Sequence, residues 1–339
     1  MHVEWIPAYE GMARCTADAM KTLITGCGGF AGSHLADYLL GRGDEVIALL
    51  ADNENRANIQ HIEKNLQIAV ADLRDFDLVR DLLASLRPQR IYHLAAFSSP
   101  AESLENPVLT YQVNFTGTLN LLSAWRQVGM DGRFLLVSSA EVYGVVPREK
   151  LPLREEMELR PVNPYAGSKA AAEMLALQFF RSYGLPIVRV RPFNHTGPRQ
   201  SSKFACSNFA RQVVEIELGL RPPTIVTGNI NVARDFSDVR DIVRGYSELL
   251  EKGAPGEVYQ LCSGHAVSIQ SILQTLLSFT SQSVQVSVDK SLLRNQEAPE
   301  VWGDYSKART AVAWEPHHEL ADTLRALKLY WESRVKHQN

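Results

Sequence analysis

The chain has 339 residues, 45% of them apolar, with 35 Lys and Arg against 38 Asp and Glu for a formal net charge of -3. That length can bury a large core, as one domain with a lobe or as two domains. The slightly acidic balance excludes the basic footprint of a nucleic-acid binder, and no apolar run reaches the ~20 residues that span a membrane. Four scattered cysteines (Cys15, Cys27, Cys206, Cys262) without a C-x-x-C imply reduced thiols and a cytoplasmic location by default, and no metal site is expected.

Residues 1–20 carry no secretory apolar core and read as an N-terminal extension, with Met20 as an alternative start. Lys21-Thr22-Leu23-Ile24-Thr25 then reads as a short buried strand. It leads into a G-x-x-G-x-x-G loop formed by Gly26, Gly29 and Gly32, a respaced dinucleotide fingerprint. The first glycine allows a tight turn, the second lets backbone approach a pyrophosphate, and the third lets the helix pack close to the sheet. Amides at the helix start then point at the phosphates. Ala31, Leu35 and Leu39 share one face of that helix.

Further along, strands predicted at 22–25, 45–50, 66–70, 90–94, 134–138, 186–191 and 257–261 alternate with helices at 32–41, 75–86, 110–128 and 165–183. Such alternation specifies an α/β fold with a Rossmann-type, doubly wound parallel sheet. After Arg191, Pro192, Pro198, Pro222 and Pro223 interrupt the pattern, and a last helix runs over about 319–334. The division expected is a dinucleotide-binding domain over 20–191, to which strand 257–261 returns. A smaller, discontinuous substrate lobe then takes most of 192–335.

Tyr165 and Lys169, four apart on one helix, project from the same face. An ammonium beside a phenol favours the phenolate, so Lys169 is expected to lower the Tyr165 pKa and make it a proton donor and acceptor. Ser139 ends a predicted strand, where ligands of open α/β sheets bind. Read locally, Ser139 can also cap the helix that follows, and Tyr165 can simply start one after Pro164.

Several more segments extend the pattern: Asp72-Leu73, His93-Leu94-Ala95-Ala96, Val113-Asn114-Phe115-Thr116-Gly117-Thr118 and Val137-Ser138-Ser139-Ala140-Glu141-Val142-Tyr143-Gly144. With the glycine loop and the Tyr-Lys pair, they resemble the extended short-chain dehydrogenase/reductase family that modifies nucleotide sugars. The resemblance covers the chain from Lys21 onward. It implies an enzyme with Ser139, Tyr165 and Lys169 as its catalytic triad, Lys169 also binding the nicotinamide ribose. The cofactor is NADP or NAD, held by Gly26, Gly29, Phe30, Gly32, Asp72, Leu73, Leu94, Ala95, Ala96, Tyr165 and Lys169. No acid or arginine ends the second strand at Leu49-Leu50-Ala51; Asp52 comes late and Arg56 later, so both cofactors are expected to be tolerated.

The segments Arg191–Pro198 and Arg234–Asp241 are similar to the substrate-lobe signatures of that family. They imply a GDP-sugar substrate touched by Ser99, Glu141, Asn194, Arg199, Arg234, Arg294 and Glu297, with His195 structural. Within the family, Phe193–Gln200, Ala210–Glu217 and Val258–Gly264 are most similar to the members that reduce GDP-4-keto-6-deoxy-D-mannose to GDP-D-rhamnose. Asn295-Gln296 departs from their usual wording. Three alternatives stay open: a GDP-mannose 4,6-dehydratase with Glu141 as its acid, a C4 epimerase, and a non-catalytic NAD(P)-binding sensor. The resemblance also implies a homodimer through helices 110–128 and 165–183.

Overall fold

The computed structural model describes residues 19–52, 54–292 and 298–337. The expected N-terminal extension therefore lies outside the described residues up to residue 18, as do Arg294 and Glu297. Six strands rich in Val, Ile and Leu open the chain: β1 (Lys21–Thr25), β2 (Glu45–Leu50), β3 (Gln67–Val70), β4 (Arg90–His93), β5 (Arg133–Val137) and β6 (Ile187–Pro192). A seventh, Val258–Leu261, joins them, and the order across the sheet is Val258–Leu261, β6, β5, β4, β1, β2, β3. Every pairing in this sheet is parallel. The strand order reverses between β1 and β4, which opens a crevice at their carboxyl ends.

Helices cover both faces, which is why the central strands are buried on both sides. They are α1 (Phe30–Gly41), α2 (Phe76–Leu86), α3 (Pro100–Glu105), α4 (Pro107–Tyr111), α5 (Gly117–Val128) and α6 (Pro164–Tyr183). On one face Leu35 and Leu39 of α1 pack with Val243 and Tyr246 of helix Val239–Lys252. On the other, Leu121 and Trp125 of α5 meet Val79 and Leu83 of α2 and Phe179 of α6. A third cluster joins helices Ala205–Glu217, Ile269–Leu277 and Leu320–Lys336 through Phe209, Val213, Leu273, Leu324 and Leu327.

The predicted helix 110–128 is helical throughout but not α-helical throughout. Its first part is α4, followed by a π-helical turn over Gln112–Thr116, and only then α5. The wider turn carries Asn114, which lies buried among three partners. Its side chain donates to the Phe97 carbonyl (3.2 Å) and to the Ser168 hydroxyl (2.9 Å), and accepts from the Phe97 amide (2.7 Å). π-turns of this kind cluster at functional sites.

Candidate active site

The glycine loop is built by close approach. Gly26 adopts φ +69°, and a Cβ there would lie 2.8 Å from Ala95 Cα, so β1 and β4 leave the sheet in backbone contact. The Thr25 hydroxyl accepts from the Ala95 amide (3.1 Å) and bonds His93 Nδ1 (2.7 Å), and His93 Nε2 meets Thr118 (2.9 Å). Burial holds the His93 imidazole down at about 3, so it stays neutral in this lattice of bonds. A Cβ on Gly32 would approach the Gly26 carbonyl oxygen to 2.1 Å. Gly32→Ala is therefore expected to pry the loop open and weaken NAD(P)H binding by about tenfold or more, read by nucleotide fluorescence titration. Unchanged affinity would show that the loop does not hold the dinucleotide.

Three side chains converge beyond this loop. Ser139 follows β5 and caps a short 3-10 turn over Ala140–Tyr143, its Oγ accepting from the Glu141 amide at 3.2 Å. Asn163 caps α6 by accepting from the Ala166 amide (2.8 Å), and Pro164 occupies the first turn, where its missing amide costs nothing. Tyr165 and Lys169 follow on the same face. The Tyr165 amide donates to Ser103 Oγ (3.2 Å), which ties the helix start to α3. The Tyr165 phenol lies beside the Ser139 hydroxyl, which favours its ionised form. Lys169 is buried and donates to the Val137 carbonyl at 2.8 Å.

The electrostatics differ from the expectation that Lys169 lowers the Tyr165 pKa. Burial pushes the Tyr165 phenol up to about 12; the neighbouring Ser139 hydroxyl opposes this and the Glu141 charge adds to it. The Lys169 ammonium points its bond at a backbone carbonyl and is itself lowered to about 8 by burial. Burial thus outweighs the pairing that helix spacing alone suggests.

The remaining predicted residues divide. Ala95 and Ala96 line the crevice at the end of β4, with Leu94 packed beneath. Asp72 and Phe76 line one cavity with Gln112 and Thr116, but the Asp72 carboxylate is already bidentate with Arg74. Leu73 packs beside Gly117. Phe30 begins α1 and stacks on His195, ring centroids 5.8 Å apart. Ser99 caps α3 by accepting from the Glu102 amide. Asn194 is exposed, Glu141 is half-buried beside Ser139, and Arg234 donates to the Ala233 and Ala298 carbonyls. Arg199 already has protein partners: its guanidinium pairs with Asp37 (2.7 Å) and donates to the Asn58 carbonyl (3.2 Å). Asn114, whose segment bears the family wording, is the positioning residue that sequence reasoning passed over.

These features fit a dinucleotide: a glycine turn in which a Cβ at Gly26 or Gly32 would strike backbone, and a buried ammonium with one carbonyl partner among the described residues. The profile of the family described as GDP-mannose 4,6 dehydratase matches residues 23–327. The chain belongs to this family. Its members are NAD(P)-dependent enzymes of the extended short-chain dehydrogenase/reductase type, and the chain is a nucleotide-sugar-modifying enzyme. It is 35% identical over 318 residues to a GDP-6-deoxy-D-mannose reductase of Pseudomonas aeruginosa, covering 94% of this chain and 99% of the relative. It is 30% identical over 310 residues to GDP-mannose 4,6 dehydratase 2 of Arabidopsis thaliana, covering 87% and 82%. The solved structure of RMD from Pseudomonas aeruginosa complexed with NADPH superposes with a TM-score of 0.80 at 34% identity, over 93% of this chain and all of that one. Among the described residues, no helix is long and apolar enough to cross a membrane.

Proposed function

We propose that this enzyme reduces the C4 ketone of GDP-4-keto-6-deoxy-D-mannose to GDP-D-rhamnose. The observation that carries the reading is the convergence of Ser139, which caps the turn after β5, with the Tyr165 phenol and with Lys169 one helical turn on. NAD(P)H, when bound, supplies the hydride. Ser139 holds and polarises the carbonyl oxygen, and Tyr165 delivers a proton to that oxygen. Lys169 holds the nicotinamide ribose. Asn194, Arg234 and the segment bearing Arg294 and Glu297 meet the GDP-sugar from the lobe formed mainly by 192–335. The likeness to the Pseudomonas reductase over nearly its whole length supports the reduction over the other family reactions.

The protein is cytoplasmic and a homodimer in this reading. Val108 (69% exposed) and Tyr111 on α4, with Met174 and Tyr183 on α6, support a dimer through these helices. Glu141 favours one second reading, dehydration of GDP-mannose, because it sits beside Ser139 and the Tyr165 phenol, where a carboxyl group can hand a proton to a departing hydroxyl. The test is incubation with GDP-4-keto-6-deoxy-mannose and NADPH or NADH, following absorbance at 340 nm and product by NMR. Stoichiometric cofactor oxidation yielding GDP-rhamnose is expected. An inert keto-sugar, with GDP-mannose losing water and no net cofactor use, would overturn the reductase and make Glu141 the acid.

A further inference from the structure

The corner between the end of β2 and the glycine loop is occupied by a carboxylate that neither position nor spacing singles out. Beyond Leu50 the chain turns, and Glu54 folds back over it. One Glu54 oxygen, Oε2, accepts from the Ala51 amide at 3.1 Å. The other, Oε1, lies 2.9 Å from where a Cβ on Gly28 would stand; burial raises the Glu54 pKa, and the Ala51 and Gly28 amides oppose that by favouring the carboxylate. The carboxylate therefore bridges the glycine turn and the second strand. In a dinucleotide site this corner receives the adenosine ribose, and an acid there accepts from the ribose hydroxyls.

The placement is braced. Asn58 Nδ2 donates to the Gly28 carbonyl (3.2 Å), Arg199 holds the Asn58 carbonyl, and His61 bonds Asp37 on α1 (2.8 Å). A 2'-phosphate in this corner would need a cation, for which a guanidinium is the usual partner. Both guanidiniums nearby already face carboxylates: Arg199 pairs with Asp37 and Arg56 with Glu63 at 3.2 Å. The exposed Asp52 adds a further negative charge. A phosphate monoester carries a charge of about -1.5 to -2 at neutral pH, so it would meet a like charge where a hydroxyl would meet an acceptor.

We infer that Glu54 makes this enzyme select NADH over NADPH, by accepting from the adenosine ribose and repelling a 2'-phosphate. The inference rests on the dinucleotide site and is independent of the sugar. It separates this chain from its structural neighbour solved with NADPH.

Fluorescence titration of the purified protein with NADH and with NADPH tests it, in the wild type, Glu54→Gln and Glu54→Arg, with circular dichroism confirming the fold. The wild type is expected to bind NADH at least about tenfold more tightly, the scale of one charge-assisted hydrogen bond. Glu54→Gln should loosen NADH and tighten NADPH, and Glu54→Arg should reverse the order. Equal affinities in the wild type, or a Glu54→Gln effect identical for both nucleotides, would overturn the inference while leaving the dinucleotide site intact. Binding of neither nucleotide by folded protein would overturn the dinucleotide reading itself.

Discussion

Tyr165→Phe is expected to lower kcat for keto-sugar reduction by about 10²–10⁴, the usual contribution of a positioned general acid, with NAD(P)H affinity little changed. Only one oxygen is lost. The helix start keeps its Asn163 cap, and the residue 165 amide still donates to Ser103, so the fold has no reason to respond. What disappears is the proton source beside Ser139. The same geometry sets a pH profile. Burial holds the phenol near 12, so it stays protonated and able to donate throughout the neutral range. The group that titrates first is Lys169, lowered to about 8 by burial, and its ammonium is lost as pH rises through that value. Reductive kcat/KM should therefore be level from pH 6 to about 7, fall to about half near 8 and keep falling above. The stability sign is the opposite. The folded chain binds fewer protons than the unfolded one between about 8 and the ordinary 10.5, so the Lys169 contribution to stability rises over that interval. A kcat/KM that already declines from pH 6, or a Tyr165→Phe enzyme with near-normal kcat, would remove Tyr165 and Lys169 from the roles given to them.

Much of this was legible in order along the chain because strand and helix periods are local. The apolar runs at 45–50 and 90–94 became β2 and β4 to within a residue, and the returning strand at 257–261 pairs with β6. The convergence of three side chains was legible for a similar reason. A strand end and one helix face fix where Ser139, Tyr165 and Lys169 lie relative to the crevice. What was hidden depends on contacts far apart in sequence or on burial. Arg199 reads as a phosphate ligand until the fold brings Asp37 beside it from α1. Ser99, expected to touch substrate, is placed at the start of α3, where it accepts from the Glu102 amide. Glu54 stands four residues beyond the strand end and acquires meaning only when its loop folds back on Gly28. Helix spacing puts Tyr165 and Lys169 on one face, but burial sets the protonation of both.

Glu173→Leu is expected to destabilise the fold by about 3–5 kcal/mol, the cost of removing one partner from a buried ion cluster. Glu173 is fully buried on α6, one turn beyond Lys169 and on the same face. Its two oxygens accept from Arg191 at 2.6 and 3.0 Å, and Arg189 approaches to 3.5 Å. Both arginines come from β6 and are nearly as buried. Losing the carboxylate would strand two guanidiniums with too few acceptors. Arg191 also donates to the Tyr143 hydroxyl (2.6 Å) and lies over its ring at 4.9 Å. Tyr143 closes the short turn that Ser139 begins. The cluster thus fastens the catalytic helix, β6 and the Ser139 turn to one another, and Glu173 acts as a positioning residue. Glu173→Gln should therefore lower kcat more than it changes KM, because it loosens the Ser139–Tyr165 alignment without touching substrate. Adding Arg191→Met to Glu173→Leu should restore part of the stability, since an unpaired charge costs more than an absent pair. Urea unfolding of the single and double variants reads these differences. A Glu173→Leu protein within about 1 kcal/mol of wild type would mean that water or rearrangement satisfies the arginines and that the cluster fastens nothing.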